Sequence, residues 1–329
     1  QLADRDGNGI TTREEASNGD AVAILRHGRL PLVDDTDDGS RGSGLMHHKF
    51  LVIDRRSVLT GSANFTSSGI HGDAGKPQSR GNVNHLLRLD SPDLAELFRQ
   101  EFLVMWGDGP DGEPNSRFGV KKGSGGVQQV MVGETKVEVL FSPHKKNNRN
   151  HGLNWLEQQL KTAQTNIDMA LFVFSAQQLS NALQTLAKDG VRLRLLGDPG
   201  FASRSFSELL DLLGVALPDH NCMLEAGNQP SPEALPGIGT PRLARGDKLH
   251  HKFAVIDNKT VVTGSFNWSP SAAHTNDETL LVIHSPKLAT HFTREMNRMW
   301  RSAELGITPY IQRKLDRQRI QCGDGVERG

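Results

Sequence analysis

The sequence predicts an α/β protein of two lobes related by a pseudo-twofold, each a mixed sheet flanked by helices. The first lobe is expected to be N-terminally truncated. Two observations carry this: an internal duplication, and strands alternating with helices in the fuller second copy. Gly44-Leu-Met-His-His-Lys-Phe-Leu-Val-Ile-Asp54 recurs as Lys248-Leu-His-His-Lys-Phe-Ala-Val-Ile-Asp257. His47, Lys49, Asp54, Ser62 and Asn64 reappear 203 positions on as His250, Lys252, Asp257, Ser265 and Asn267. After an extra stretch around Ser68–Arg80 the spacing becomes 194, and Ser91, Phe98, Glu101 and Trp106 match Ser285, Phe292, Glu295 and Trp300.

In the second copy, Val137–Phe141 reads as a strand, and Leu153, Leu156 and Leu160 mark one side of a helix. Ile167–Phe174 is an apolar strand. Leu179, Ala182, Leu183 and Leu186 then keep helical spacing before Gly190, a natural helix end. Val191–Leu196 is another strand, followed by a hairpin of Phe253–Ile256 and Thr260–Gly264 around an Asn258-Lys259 turn and a helix Pro286–Trp300. The first copy has only 46 residues before His47, with nothing matching Val137–Pro199, so its opening strand–helix–strand is expected to be missing. The expected organisation is a leading segment 1–20, a first lobe 21–106, a Gly/Pro-rich linker 107–127, a second lobe 128–301 and a charged tail 302–329.

Composition narrows the function classes. The 329 residues carry 38 basic and 38 acidic side chains, which excludes a tail-driven nucleic-acid binder but allows a locally basic cleft. No apolar run is long enough for a transmembrane helix. Two cysteines, Cys222 and Cys322, are too few for a disulfide framework or a cysteine zinc site, and their pairing is left open. No leader or compartment is read from a chain that opens on Gln1.

The chemistry lies in the repeat. Residues two apart on a strand share a face, so His47 and Lys49 point one way, as do Ser62 and Asn64 on the returning strand. The second copy presents His250, Lys252, Ser265 and Asn267 alike. Two such faces meeting give two imidazoles, two cations and several neutral donors, a set suited to a phosphate and its charged transition state. Asp54 and Asp257 fall on the opposite face and read as braces. His48 and His251 read as residues that back the site or pack beneath it, Trp106 and Trp300 as core anchors, and Trp268 as a residue that either lines the cleft or packs in the core.

These paired patterns, His-x-Lys-x4-Asp followed by Gly-Ser-x-Asn, resemble the signature of the phospholipase D superfamily, over roughly Ala21 to Trp300. The resemblance implies a phosphodiesterase that needs no metal or other cofactor and works through a covalent phosphohistidine. It makes His47 and His250 the nucleophile and the general acid/base in some order. Lys49, Lys252, Asn64 and Asn267 would bind phosphate, with Ser62 and Ser265 in support. It also draws attention to Glu278 and Asn84, which align: a carboxylate in one copy is an amide in the other. If Glu278 reaches across to His47, then His47 is the nucleophile and His250, facing Asn84, the acid. One chain supplies both motifs, so a monomer is sufficient.

The motif leaves the substrate open between a phospholipid, favoured here, and a nucleic acid; a phosphate-binding scaffold without turnover is the third reading. Few aromatics weigh mildly against a nuclease. An apolar lip from Leu235, Pro236, Ile238, Leu243, Phe201 and Phe206 would suit a lipid and peripheral membrane contact. The basic tail Gln312–Arg319 reads as a short surface helix. Separately, Asp4, Asp6, Asn8 and Glu15 fit the spacing of an EF-hand loop, a candidate structural Ca2+ site whose alternative is an acidic helix-leading turn.

Overall fold

The computed structural model describes residues 28–72, 76–123 and 125–323, together with residues 12, 22, 25 and 26. The candidate calcium residues Asp4, Asp6, Asn8 and Glu15 lie outside the described residues.

The duplication appears as two sheets. In the first lobe, β1 (Phe50–Ile53), β2 (Ser57–Gly61) and β3 (Leu86–Asp90) form an antiparallel meander. In the second, nine strands run in the order β12 (Glu304–Leu305), β8 (Ile238–Thr240), β7 (Arg192–Gly197), β6 (Asn166–Leu171), β9 (Lys252–Ile256), β10 (Thr260–Gly264), β11 (Glu278–His284), β5 (Thr135–Ser142) and β4 (Gln128–Val132). β6, β7 and β8 are parallel and the remaining pairs antiparallel, the mixed sheet expected. Helices Gly152–Leu160 and Gln177–Lys188 cover one face over Ile167, Met169, Leu195 and Ile256. Helix Pro286–Trp300 covers the other through Phe292, Met296 and Met299 against Phe253 and Val255.

The lobes share a core. Leu94, Ala95 and Phe98 of helix Pro92–Trp106 pack on Val58 of the first sheet and on Val137, Val139, Leu281 and Ile283 of the second. Two reciprocal parallel bridges clasp the lobes, Met46 to Asp277 and Leu249 to Val83, each the pseudo-twofold image of the other. The outer face of the first sheet is bare among the described residues. Leu51, Ile53 and Leu86 are 46%, 41% and 38% exposed, whereas their counterparts Ala254, Ile256 and Leu280 are at most 2% exposed beneath β6 and its helices.

Some elements differ from the sequence expectation. The hairpin turns centre on Asp257-Asn258 and Asp54-Arg55, not Asn258-Lys259; all four have φ between 49° and 56°, which Asp and Asn tolerate better than most residues. Within the long loop Ala226–Gly246, Ile238 is fully buried in β8 and therefore no part of a lip. The tail does form a helix, Pro309–Cys322, and a disulfide between Cys222 and Cys322 fastens it to the loop after the second-lobe helices. No helix among the described residues is long and apolar enough to cross a membrane.

Candidate active site

Each His-x-Lys motif runs into the first strand of its hairpin, and the clasping bridges set the two motifs face to face. His47 N donates to the Asp277 carbonyl and His250 N to the Val83 carbonyl, at 3.0 and 2.9 Å. The residue after each acceptor then meets the opposing imidazole. Glu278 places both carboxylate oxygens 2.7 Å from His47 Nδ1, while Asn84 Oδ1 lies 2.9 Å from His250 Nδ1. Asn84 Nδ2 donates to the carbonyls of Gly69 and Asn82, which turns its oxygen toward His250. Both Nδ1 atoms are thereby the donors, and each Nε2 is left for a substrate.

Ser62 and Ser265 stand behind this pair. Ser62 Oγ donates to Asn84 Oδ1 at 2.9 Å and Ser265 Oγ to Glu278 Oε2 at 2.6 Å, and both serines are wholly buried. They fix the partners of the histidines from behind. Asn84 likewise holds a histidine. Trp268 is 1% exposed, edge-on to Phe174 in the core, so it does not line the cleft. Asn64 and Asn267 are half-buried in the loops that follow β2 and β10 and not on the returning strands as expected, and Asn267 Oδ1 has no hydrogen-bond partner.

Asp54 and Asp257 lie away from the imidazoles. Asp257 accepts from the backbone N–H of Gln164, Thr165 and Asn166 and from the Thr165 hydroxyl, pinning the hairpin turn to the start of β6. Partial burial pushes its carboxyl up, but these hydrogen bonds hold it below the usual range. Asp54 sits exposed in the equivalent turn.

The lysines make the site electrostatically unusual. Lys49 Nζ donates to the His47 carbonyl at 2.6 Å and Lys252 Nζ to the His250 carbonyl at 2.8 Å. Burial pulls the Lys49 ammonium down to about 8 and Lys252 well below the normal lysine range, with Lys49 adding to the latter. Burial, then Lys252, Lys49 and His47, bring His250 down to about 2. His47 is lowered by burial too, with Glu278 pulling the other way. Four groups that can carry positive charge thus converge around one facing carboxylate, and a bound anion would relieve the imbalance.

Behind the site, His48 and His251 each meet a carboxylate, and Lys122 and His85 join them although the sequence reading did not single them out. His48 Nδ1 lies 2.8 Å from Thr279 Oγ1 and its Nε2 3.1 Å from Glu101. Lys122, inside the expected linker, pairs with Glu101 and lies 2.7 Å from Asp277, whose carbonyl receives His47 N–H. In the second copy His251 meets Glu295 at 3.4 Å and His85 at 3.0 Å. The matched Glu101 and Glu295 were visible in the repeat; Lys122 left no signal there.

The family model described as "Cardiolipin synthase, PLD-like domain" matches residues 11–106 and 156–300. Mitochondrial cardiolipin hydrolase of Homo sapiens is 30% identical over 148 residues, covering 45% of this chain and 50% of that protein. Phospholipase D of Rickettsia prowazekii (strain Madrid E) is 29% identical over 138 residues, 42% of this chain and 57% of that protein. The chain spans about half the length of these curated relatives. Phosphatidylserine synthase of Haemophilus influenzae Rd KW20 shares the fold, with a TM-score of 0.54 at 14% identity over 85% of this chain and 69% of that one.

Proposed function

This chain belongs to the phospholipase D-like domain family described as cardiolipin synthase, PLD-like domain, and from that membership we propose that it hydrolyses a phosphodiester, with a phospholipid as substrate, through a covalent phosphohistidine. The observation that carries the reading is the unequal pairing of the two imidazoles: a buried carboxylate on His47 and a neutral amide on His250.

A nucleophilic imidazole becomes positively charged as its Nε2 bonds to phosphorus, and a carboxylate on Nδ1 stabilises that charge. His47 is therefore the nucleophile. Its attack breaks the bond to the leaving oxygen, which takes a proton from His250 Nε2. Water then attacks the phosphohistidine, gives His250 a proton, and releases the phosphate ester. Lys49, Lys252, Asn64 and Asn267 hold the equatorial oxygens, where charge builds in both steps. His250 takes up the proton it needs from solvent as the substrate binds, because an anion beside Lys49 and Lys252 offsets the burial and the repulsion that keep this imidazole neutral in the free protein. The names of the relatives favour a lipid, and exposed Phe206 beside Phe201 offers an apolar contact near Phe172 and His250.

The test is turnover by EDTA-treated protein given vesicles of phosphatidylcholine and cardiolipin together with a single-stranded oligonucleotide. Release of phosphatidic acid by the wild type and not by His47→Ala supports the reading. Cleavage of the oligonucleotide alone would make the protein a nuclease of the same mechanism, and anion binding without turnover would make it a scaffold.

A further inference from the structure

Helix Pro309–Cys322 lies beyond the repeat and is tied to the second lobe along its length. Ile311 is buried in the core and Leu315 packs against it. Lys314 Nζ donates to the Ser203 carbonyl and to Ser203 Oγ, at 2.8 and 3.1 Å. Two turns on, Gln321 Nε2 donates to the His220 carbonyl at 3.4 Å, and the disulfide joins Cys322 to Cys222. Between these ties the helix does not close on the loops that it faces. A cavity of about 320 Å³ is left there, with Lys314, Arg317, Gln318 and Gln321 on the helix side and Arg204 and His220 opposite.

Packing does not account for these side chains. Residues 311, 314, 315, 318 and 321 share one helix face. That face is apolar at Ile311 and Leu315 and turns polar and basic where the cavity begins. Among the described residues no carboxylate pairs with Arg204, Lys314 or Arg317, and the one carboxylate on the wall, Asp219, accepts from the backbone N–H of Asn221 and Met223. Lys314 spends two of its three donors on Ser203 and keeps one. Two guanidinium forks and an ammonium suit phosphate oxygens, and the amides of Gln318 and Gln321 add neutral donors. No Phe, Tyr or Trp lines the cavity, so it offers no platform for a base.

We propose that this cavity binds a small soluble polyanion of linked phosphates, held by Arg204, Lys314 and Arg317, at a site separate from the catalytic centre. The proposal does not rest on the phosphohistidine reading. The disulfide is part of the site. Cys222 belongs to the loop of one wall and Cys322 to the helix that forms the other, with Cα atoms 5.4 Å apart. It therefore sets the width of the cavity before a ligand arrives, and a site already ordered loses less freedom on binding. The first lobe has no counterpart, because the helix follows the second copy and is not repeated.

The test is calorimetric titration of the full chain with inorganic pyrophosphate at pH 7. K49M/K252M removes the catalytic cations, and one pyrophosphate per chain is expected to bind in that background. Adding R204A/R317A, whose side chains are exposed, should weaken binding at least tenfold. Adding R294A/R301A, which removes the same charge from the exposed end of helix Pro286–Trp300, should leave it unchanged. Adding C222S/C322S should weaken it about fivefold. In the wild-type background R204A/R317A should remove one site from the stoichiometry, which keeps the test open if K49M/K252M does not fold. An unchanged stoichiometry there, or an equal fall in R204A/R317A and R294A/R301A, would overturn the site. Binding indifferent to C222S/C322S would overturn the role of the disulfide. Heat that survives excess phosphatidic acid vesicles supports a soluble ligand, and heat abolished by them would overturn it in favour of a lipid headgroup.

Discussion

His47 Nδ1 lies 2.7 Å from both carboxylate oxygens of Glu278, a residue contributed by the other lobe and wholly buried. Its pseudo-twofold counterpart, Asn84, can accept from an imidazole but cannot neutralise one. Glu278→Gln keeps the contact and removes the charge. Its kcat is expected to fall by about 10²- to 10⁴-fold, the range seen when an orienting carboxylate is neutralised, with KM little changed. Steady-state kinetics on the lipid substrate checks this, and activity within twofold of wild type would argue against a charged partner for the nucleophile.

Anion binding should draw protons into the site. Burial and the lysines bring His250 down to about 2, so it is neutral near pH 7, and burial brings Lys49 down to about 8, so a minority of it is neutral at pH 7.5. An oxyanion such as tungstate sets a negative charge beside both groups, opposes the effect of burial and raises both. Titration calorimetry at pH 7.5 in buffers of different ionisation enthalpy is expected to give proton uptake on binding. Equal heats in all buffers would contradict the electrostatic account.

Away from the site, Glu208 is a buried carboxyl whose Oε2 has no partner, and burial followed by Asp211 pushes it up to about 9. A carboxyl raised on folding favours the native state below the unfolded value near 4.5, and that advantage is lost as pH climbs toward the folded value. Glu208→Gln removes the titration. Relative to wild type, the variant should therefore gain stability between pH 5 and pH 8, by roughly 2–4 kcal/mol. Urea denaturation at the two pH values measures it; an unchanged difference would show that Glu208 is already ionised.

Lys122 tests whether the segment between the lobes is a passive connection. It is 4% exposed, against Glu101 at 11% and Asp277 at 1%. Lys122→Met leaves Glu101 with His48 and Asp277 with the Gly119 N–H but removes the cation between two buried carboxylates, and is expected to cost about 3–5 kcal/mol. Arg242→Met breaks only the exposed pair with Glu304 and should change stability by less than about 0.5 kcal/mol. Similar effects from the two variants in urea would contradict the bracing role.

The repeat made the centre legible because it fixes two hairpins and, through Asn84 and Glu278, the residues that cross between them. Helix Pro286–Trp300 was readable to the residue, since Ser285 caps it and Pro286 opens it. The partners of Ser62 and Ser265 were not readable, because strand parity tells which face a side chain takes and not what it meets there. Trp268 was open for the same reason. Lys122 was out of reach, because its contacts arise where an unrepeated segment folds onto the repeat, and no periodicity records that contact.

The account rests most directly on which histidine carries the phosphate. Rapid-quench reaction with the lipid substrate, followed by peptide mapping under alkaline conditions, is the decisive measurement. The account predicts phosphate on the peptide containing His47, with its accumulation increased in His250→Asn as hydrolysis of the intermediate slows. Phosphate on the His250 peptide would reverse the assignment, and with it the side of the centre on which the leaving group lies.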